Sequence, residues 1–261
     1  MIRGLWARET IALTMLAAAL PVGVAGVVEN GWAFATTFVL ALAVLAFWQG
    51  VFLFVRAQPA TGIGIVTALA VALLVPPNLA PWQIVLGVSF GAVIGEQVFG
   101  GWGRNIVNTS VATLAFLFFA FPEAATPEPG WLIALASLPG AILLILFGIL
   151  AWPIPVGAAL GLMAVGLLLG RDLAPLATYG ALAFGIVFLA GDPVTSSTTP
   201  TGRWVYGILT GALAGLFGWA AYGIGSVQAI VFATLLSSLF APLVDHTVIA
   251  AGAAARRSRH G

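Results

Sequence analysis

Residues 71–91 read VALLVPPNLAPWQIVLGVSFG, and residues 165–185 read VGLLLGRDLAPLATYGALAFG. Each stretch is apolar and is broken by a polar residue, Asn78 or Asp172, that is followed by Leu-Ala-Pro. The two breaks lie 94 residues apart (172 − 78), and a Phe-Gly pair recurs at the same offset. Chance similarity between two apolar stretches is common, but the shared polar break favours an internal repeat.

The composition of the whole chain places these stretches in a membrane. Of 261 residues, 61% are hydrophobic and only 7% are charged, and the mean hydropathy is +1.13. A soluble domain of this size would need many more charges, and long apolar runs recur from end to end. We therefore expect an all-α, polytopic membrane protein. The N-terminal run resembles a secretory signal, but it continues to about Val28 and is long enough to be the first span.

Breaks between the apolar runs predict about ten spans. Arginine placement supports an even number, because eight of the nine basic residues fall at the termini or in alternate loops on one side. Only Arg171 falls on the other side. An excess of basic residues marks the cytoplasmic side, so both termini are expected there. The predicted spans are 9–28, 33–55, 61–76, 82–99, 106–122, 131–151, 153–170, 174–190, 204–222 and 226–244.

Ten spans and one repeat predict two halves, residues 1–128 and residues 129–261, the second of which ends in a short basic cytoplasmic tail. We expect five helices in each half. Because five is odd, the halves would be inverted relative to each other in the membrane. Binding sites in proteins of this design lie where the two repeats meet.

A polar stretch follows each copy of the repeated segment. The first is GEQVFGGWGRNIVNTS at 95–110, and the second is GDPVTSSTTPTGRW at 191–204. Each opens a helix on the expected cytoplasmic side, and the first N–H groups of a helix need partners. Asn105 or Asn108 could cap one helix, and a residue within 197–201 the other. We predict that the two stretches meet in a polar pocket suited to an anion, a phosphate or a planar polar ring.

The charged residues of these stretches each have two interpretations. Asp192 could bind the edge of a cofactor ring, steer a cation or pair with Arg203, or it could form an Asx-type turn with its carboxylate in solvent. Arg203 could simply anchor the chain at the cytoplasmic face. Glu96 could move protons or bind a cation, or it could pair with Arg104. Neither choice is decided by the residues alone.

Other residues, and the absence of cysteine, limit the kinds of reaction and binding site that this chain can have. The absence of cysteine excludes disulfides, thiol catalysis and cysteine-ligated iron–sulfur clusters. No catalytic triad order, metal-ligand spacing or phosphate loop is present, and no basic patch indicates nucleic acid. Trp102 and Trp204 flank the polar stretches and are more typical of interfacial belts than of a stacked cofactor. Asp245 and His246 could handle protons, but such a pair more commonly marks a membrane exit.

Three stretches together resemble a known family: FGGWGRNIVN at 99–108, GDPVTSSTTPTGRWVYG at 191–207 and FATLLSSLFAPLVDHTV at 232–248. This family contains the D subunit of Rnf complexes and the B subunit of the Na+-translocating NADH:quinone reductase. The resemblance implies an inverted-repeat protein of about ten helices in a bacterial-type cytoplasmic membrane. It also implies partners, namely the other membrane subunits of a redox complex, with quinone as a possible electron acceptor and ion transport as a possible coupled process.

The resemblance further implies bound flavin, although this chain departs from the family at informative positions. Family members carry flavin mononucleotide (FMN) on the threonine of a Ser-Gly-Ala-Thr motif, and the nearest match here is Ala124-Ala125-Thr126 after Glu123. The family's Gly-Lys is Gly95-Glu96 here, and its Asn-Pro-Phe-Asn-Pro-Ala is NIVNTS at 105–110. We expect FMN or riboflavin held noncovalently, with covalent FMN at Thr126 as the alternative. The expected cofactor-binding residues are Gly100, Gly101, Trp102, Gly103, Asn105, Asn108, Thr126, Asp192, Thr195, Ser196, Thr199 and Arg203.

The expected function is therefore that of a membrane subunit that carries electrons through bound flavin. Two other functions remain open at this point. Inverted repeats with broken helices suit a channel or transporter for a small polar solute equally well. The weak threonine motif also allows a scaffold subunit that has no cofactor.

Overall fold

The computed structural model describes residues 8–57, 61–124, 129–170, 180–222 and 225–260. These residues form helices joined by turns and loops. The α-helices are α1 (Arg8–Arg56), α2 (Gly64–Leu74), α3 (Pro81–Phe90), α4 (Thr109–Ala120), α5 (Trp131–Leu146), α6 (Pro153–Leu168), α7 (Gly180–Phe184), α8 (Pro200–Phe217) and α9 (Val227–His260). π-Helical segments extend three of them: Gly91–Glu96 follows α3, Gly185–Ala190 follows α7, and Gly218–Tyr222 follows α8.

The predicted fold class, an all-α polytopic membrane protein, is confirmed. Helix α1 is interrupted at Gly31, whose φ of 55° and ψ of −130° are not helical, so α1 contains the first two predicted spans. Each of the other eight helices coincides with one predicted span. Within the described residues, three helices are long and apolar enough to cross a membrane: Arg8–Arg56, Pro81–Phe99 and Val227–Ala254.

The shorter helices are accommodated inside the bundle. Helix α2 has only 11 residues, which at 1.5 Å per residue is about half the thickness of the hydrocarbon layer. All of its residues except Ile65 are buried. Helix ends at membrane depth are tolerated where protein surrounds them, and this burial explains how an interrupted helix can occur there.

The two π-helical segments Gly91–Glu96 and Gly185–Ala190 are also 94 residues apart. The offset read from the sequence therefore recurs as a rare backbone conformation, which supports a duplicated segment. The polar break at Asp172 lies outside the described residues. The two copies belong to the fourth and eighth predicted spans, and spans an even number apart cross a membrane in the same direction. This correspondence consequently does not bear on the inversion of the halves 1–128 and 129–261, which stays a prediction.

Glycines set the position of α8, the helix that the second polar stretch opens. A Cβ at Gly157 of α6 would lie 3.1 Å from the carbonyl oxygen of Trp204, and Gly161 approaches the carbonyl of Ile208 still more closely. In α8, Gly207 and Gly211 face the carbonyls of Ile154 and Ala158 in the same way; all four glycines are spaced as in a pair of GxxxG motifs. Small residues at this spacing let membrane helices pack backbone against backbone.

Candidate functional site

The first polar stretch is tied to itself at both ends. Glu96, which is buried at the end of the π-helical segment, accepts a hydrogen bond from Thr109 Oγ1 at 2.7 Å and another from Gln97 Nε2 at 3.0 Å. The first of these bonds joins the end of the fourth span to the start of α4. Neither bond involves Arg104, so the predicted alternative of a Glu96–Arg104 pair is not what holds this carboxylate.

A glycine turn forms the middle of the first stretch. Gly100, Gly101 and Gly103 have φ of 104°, 85° and 97°, a region in which residues with a Cβ are strained. The turn folds Trp102 inward, where it is only 5% exposed and belongs to the main hydrophobic core. The interpretation of Trp102 as an interfacial belt residue is therefore wrong. The Arg8 guanidinium donates to the carbonyl oxygen of Trp102 and secures the turn to the start of α1.

The two asparagines of this stretch have different roles. Asn108 is the predicted cap, because its Oδ1 accepts from the backbone N–H groups of Ser110 at 2.8 Å and Val111 at 3.4 Å. Asn105 instead braces the loop: its Oδ1 accepts from Gly103 N at 3.1 Å, and its Nδ2 donates to Val107 O at 3.0 Å. The side-chain cap of α4 thus comes from Asn108 alone of the two.

The two polar stretches meet at one hydrogen bond. Asn108 Nδ2 donates to Asp192 Oδ2 at 3.0 Å, across 84 residues of sequence. Asp192 is 1% exposed and also accepts from Val194 N at 3.2 Å and Thr195 Oγ1 at 3.1 Å. Burial raises the pKa of Asp192, and these three hydrogen bonds partly oppose that shift. We call this contact, formed by Asn108, Asp192 and Thr195, the polar junction.

Arg203 is not among the hydrogen-bond partners of Asp192, so the alternative of an Asp192–Arg203 pair is not what holds this carboxylate. The Asp192 oxygens are held by the junction, and the Nε atom of Arg203 is buried without a hydrogen-bond partner. Trp204, the next residue, makes an edge-on contact with Trp152 at a ring-centroid distance of 5.2 Å.

The hydroxyl run of the second stretch is anchored by a residue that sequence reasoning assigned to other roles. Asp245 of α9 accepts five hydrogen bonds from this run, at 2.5 to 3.0 Å: from Ser197 Oγ and from the backbone N–H and side-chain hydroxyl of both Thr198 and Thr199. Thr199 Oγ1 in turn accepts from Gly202 N at 3.1 Å and caps α8, which confirms a cap within 197–201. One sequence feature could have pointed to Asp245 as an anchor: it is the only acidic residue of α9.

The structure thus separates the predicted site residues into groups. Asn108, Asp192 and Thr195 form the junction, and Trp102 and Asn105 line the small cavity beside it. The remaining described members lie around this core: Gly100, Gly101 and Gly103 in the glycine turn, Ser196 in a backbone turn closed onto Asp192 O, Thr199 at the α8 cap, and Arg203 in α8. Thr126 lies outside the described residues.

The cavity beside the junction does not fit a flavin ring. Its volume is about 20 Å³, which is space for roughly one water molecule. A larger groove of about 450 Å³ lies between α3, α4 and α9, but its lining is almost wholly apolar and includes Phe90, Phe116 and Phe232. A third cavity, of about 210 Å³, lies at the Gly31 break of α1 and the Pro76-Pro77 turn, away from the junction.

The chain is similar to known membrane proteins over most of its length. The model of the NQR2, RnfD, RnfE family matches residues 5–133 and 128–252. Among relatives named as the B subunit of Na(+)-translocating NADH-quinone reductase, that of Klebsiella pneumoniae subsp. pneumoniae is 34% identical over 82% of this chain, and that of Yersinia pestis is 33% identical over 88%. The chain spans 66% and 72% of the length of these two relatives.

The matched regions include both polar stretches, and the relatives exceed 30% identity over more than four fifths of the chain. Together with the confirmed bundle of apolar helices, this shows that the chain is a multi-pass membrane protein that belongs to the NQR2, RnfD, RnfE family.

Proposed function

We propose that the chain is the membrane electron-transfer subunit of a redox complex, that it carries flavin, and that it passes electrons toward quinone or another membrane acceptor. Family membership supports this role, since the relatives carry the name of one subunit of an NADH-quinone reductase. The observation that carries the proposal is that the two polar stretches responsible for the resemblance form one buried junction, Asn108 to Asp192. The chain would need partner subunits as electron donors, and ion transport would be a property of the whole complex.

The flavin is proposed for the rim of the junction and not for its interior, which is too small. At the rim, Gly100 and Gly103 have no side chains of their own, and the side chains of Arg104 and Arg8 lie beside them. A Cβ would be 3.1 Å from Arg104 Nη1 at Gly100 and 3.7 Å from Arg8 Nε at Gly103. Such a surface suits the phosphate of FMN. When bound, the flavin would supply the redox chemistry, and the protein would hold and orient it.

The experiment is to purify the protein with its partners and record visible absorbance, and then flavin fluorescence in a denaturing gel. Yellow colour that leaves on denaturation supports noncovalent flavin. Fluorescence that stays with the band and disappears in Thr126→Val supports covalent FMN, and Thr36→Val, at an exposed threonine of α1, serves as the control. A colourless protein purified with its partners would contradict the flavin proposal, and solute flux into proteoliposomes would then test the channel alternative.

We also propose that both termini are cytoplasmic, on the basis of the arginine distribution. Because the chain has no cysteine, single cysteines can be labelled without background. In intact cells, an impermeant thiol reagent should label Glu123→Cys and should leave Arg104→Cys unlabelled until the membrane is opened. The opposite pattern would reverse the proposed orientation.

A further inference from the structure

Three hydroxyl groups in the second half of the chain are buried and have no hydrogen-bond partner. They are Tyr206 Oη of α8 and, on α9, Thr234 Oγ1 and Ser237 Oγ. All three residues are 0% exposed. Leaving a hydroxyl unpaired in an apolar interior is costly, so three together require an explanation.

Other serine and threonine side chains in the helices of this chain solve the same problem within their own helix. Thr113, Ser137 and Thr210 each donate to the carbonyl oxygen four residues earlier, at 2.8 to 2.9 Å. Ser238, the neighbour of Ser237, donates to Leu235 O. This bond is open to any helical serine or threonine. Thr234 and Ser237 do not make it, so their buried hydroxyls are not satisfied within their own helix.

Thr234 and Ser237 are three residues apart and lie on one face of α9. The same face continues through Ala241 to Asp245, which holds the second polar stretch. Tyr206 shares one small cluster of buried side chains with Ala241 of α9, which lies one turn beyond Ser237. The same cluster contains Ala190, which is two residues before Asp192. The unpaired hydroxyls therefore extend inward from the polar junction.

The three unpaired hydroxyls are suited to a small neutral ligand. A hydroxyl can both donate and accept, and the three carry no charge. The two nearby carboxylates are already engaged, Asp192 with three hydrogen bonds and Asp245 with five. A dehydrated cation would need such a carboxylate or many more oxygens. Water makes about three hydrogen bonds when it is buried and matches the set.

We propose that Tyr206, Thr234 and Ser237 bind internal water between α8 and α9, so that a hydrated track leads from the polar junction into the helix bundle. This inference does not depend on flavin or on any electron-transfer role. It would give the buried Asp192 a hydrogen-bonded connection to the interior of the bundle.

The test is the sign of a stability change. If water is bound, Thr234→Val and Ser237→Ala remove partners from it, and each should lower the melting temperature of the purified protein in detergent by about 2–4 °C. Tyr206→Phe should do the same. Because Thr234 and Ser237 would share water, the double variant should lose less than the sum of the two single losses. The control Ser238→Ala removes a hydroxyl that bonds its own helix.

Two results would overturn the proposal. If the melting temperatures of these variants stay unchanged or rise, the hydroxyls were unpaired and the substitutions removed no bound water. A high-resolution structure is the second measurement, and it remains decisive if a variant fails to fold. Density within hydrogen-bond distance of at least two of the three hydroxyls supports bound water, whereas hydroxyls turned back onto their own helix carbonyls, with no density between α8 and α9, contradict it.

Discussion

Each of the two polar stretches opens a helix at the polar junction, but different contacts hold the two in place. The stretch at 95–110 is held largely by its own residues: Glu96 bonds Thr109, and Asn108 caps the helix that begins at the next residue. Arg8 of α1 adds one hydrogen bond, to Trp102 O. The stretch at 191–204 depends on Asp245, which is 46 to 48 residues further along the chain. One hydrogen bond, from Asn108 to Asp192, joins the two.

This difference shows which part of the site is built locally and which depends on the bundle. The first stretch should keep its shape as long as the ends of α3 and α4 stay together. The second should lose its shape whenever α9 moves, since Ser197, Thr198 and Thr199 are all bonded to Asp245 of that helix. Substitutions in each stretch and in α9 can therefore distinguish local contacts from contacts with α9.

The largest effect is expected for Asp245→Ala, which removes all five hydrogen bonds from the second stretch. Bonds to a charged group contribute more than neutral ones, so the free energy of unfolding should fall by about 3 kcal/mol or more. Unfolding in mixed detergent measures the loss, and a cysteine at exposed position 198 should become faster to label. Asp245→Asn keeps the size of the side chain and should cost less. A loss under about 1 kcal/mol would contradict the anchoring role.

The second comparison uses the two copies of the repeated segment. A Cβ at Gly91 would overlap Thr113 Oγ1 and lie 2.9 Å from both Thr109 O and Thr113 N, which are backbone atoms that cannot turn away. At Gly185 the three nearest atoms all belong to the Ile230 side chain, at 2.4 to 3.3 Å, and none of them is a backbone atom. Overpacking costs about 1–3 kcal/mol, so Gly91→Ala should lie at the upper end and Gly185→Ala at the lower end of that range.

The control for both glycines is Gly50→Ala, where a Cβ meets nothing within 4 Å. This variant should be neutral or slightly stabilising, since alanine is the better helix former. Equal losses for Gly91→Ala and Gly185→Ala would mean that the two π-helical segments are equally constrained, against the contacts described here.

A smaller effect is expected for Asn108→Ser, which isolates the link between the stretches. Serine can still cap α4, but it lacks the amide that donates to Asp192. The free energy of unfolding should fall by about 1.5 kcal/mol, the contribution of one hydrogen bond to a charged group. Asn108→Ala loses the cap as well and should cost about 1 kcal/mol more. Identical losses for the two variants would show that the amide contributes nothing.

Much of the fold could be predicted because its signals are local. Apolar runs fix the spans, and the 94-residue offset seen in the sequence recurs between two π-helical segments of the structure. Asn108 was recognisable as a cap because the bonds of a cap join residues two or three positions apart. Asp245 was not recognised as an anchor because its partners lie in another helix opening, and no spacing rule connects them. The burial of Trp102 and the 20 Å³ cavity depend on how side chains from several helices pack, which a linear pattern does not contain.

The hydrogen bond from Asn108 to Asp192 joins the two polar stretches, and a double-mutant cycle measures its contribution. The free energies of unfolding of the unmodified protein, Asn108→Ser, Asp192→Ala and the double variant give the coupling between the two side chains, and effects that belong to only one of them cancel. We expect a coupling free energy of about 1.5 kcal/mol or more between Asn108 and Asp192. Additivity within about 0.5 kcal/mol would show that the two side chains do not interact and would contradict the junction.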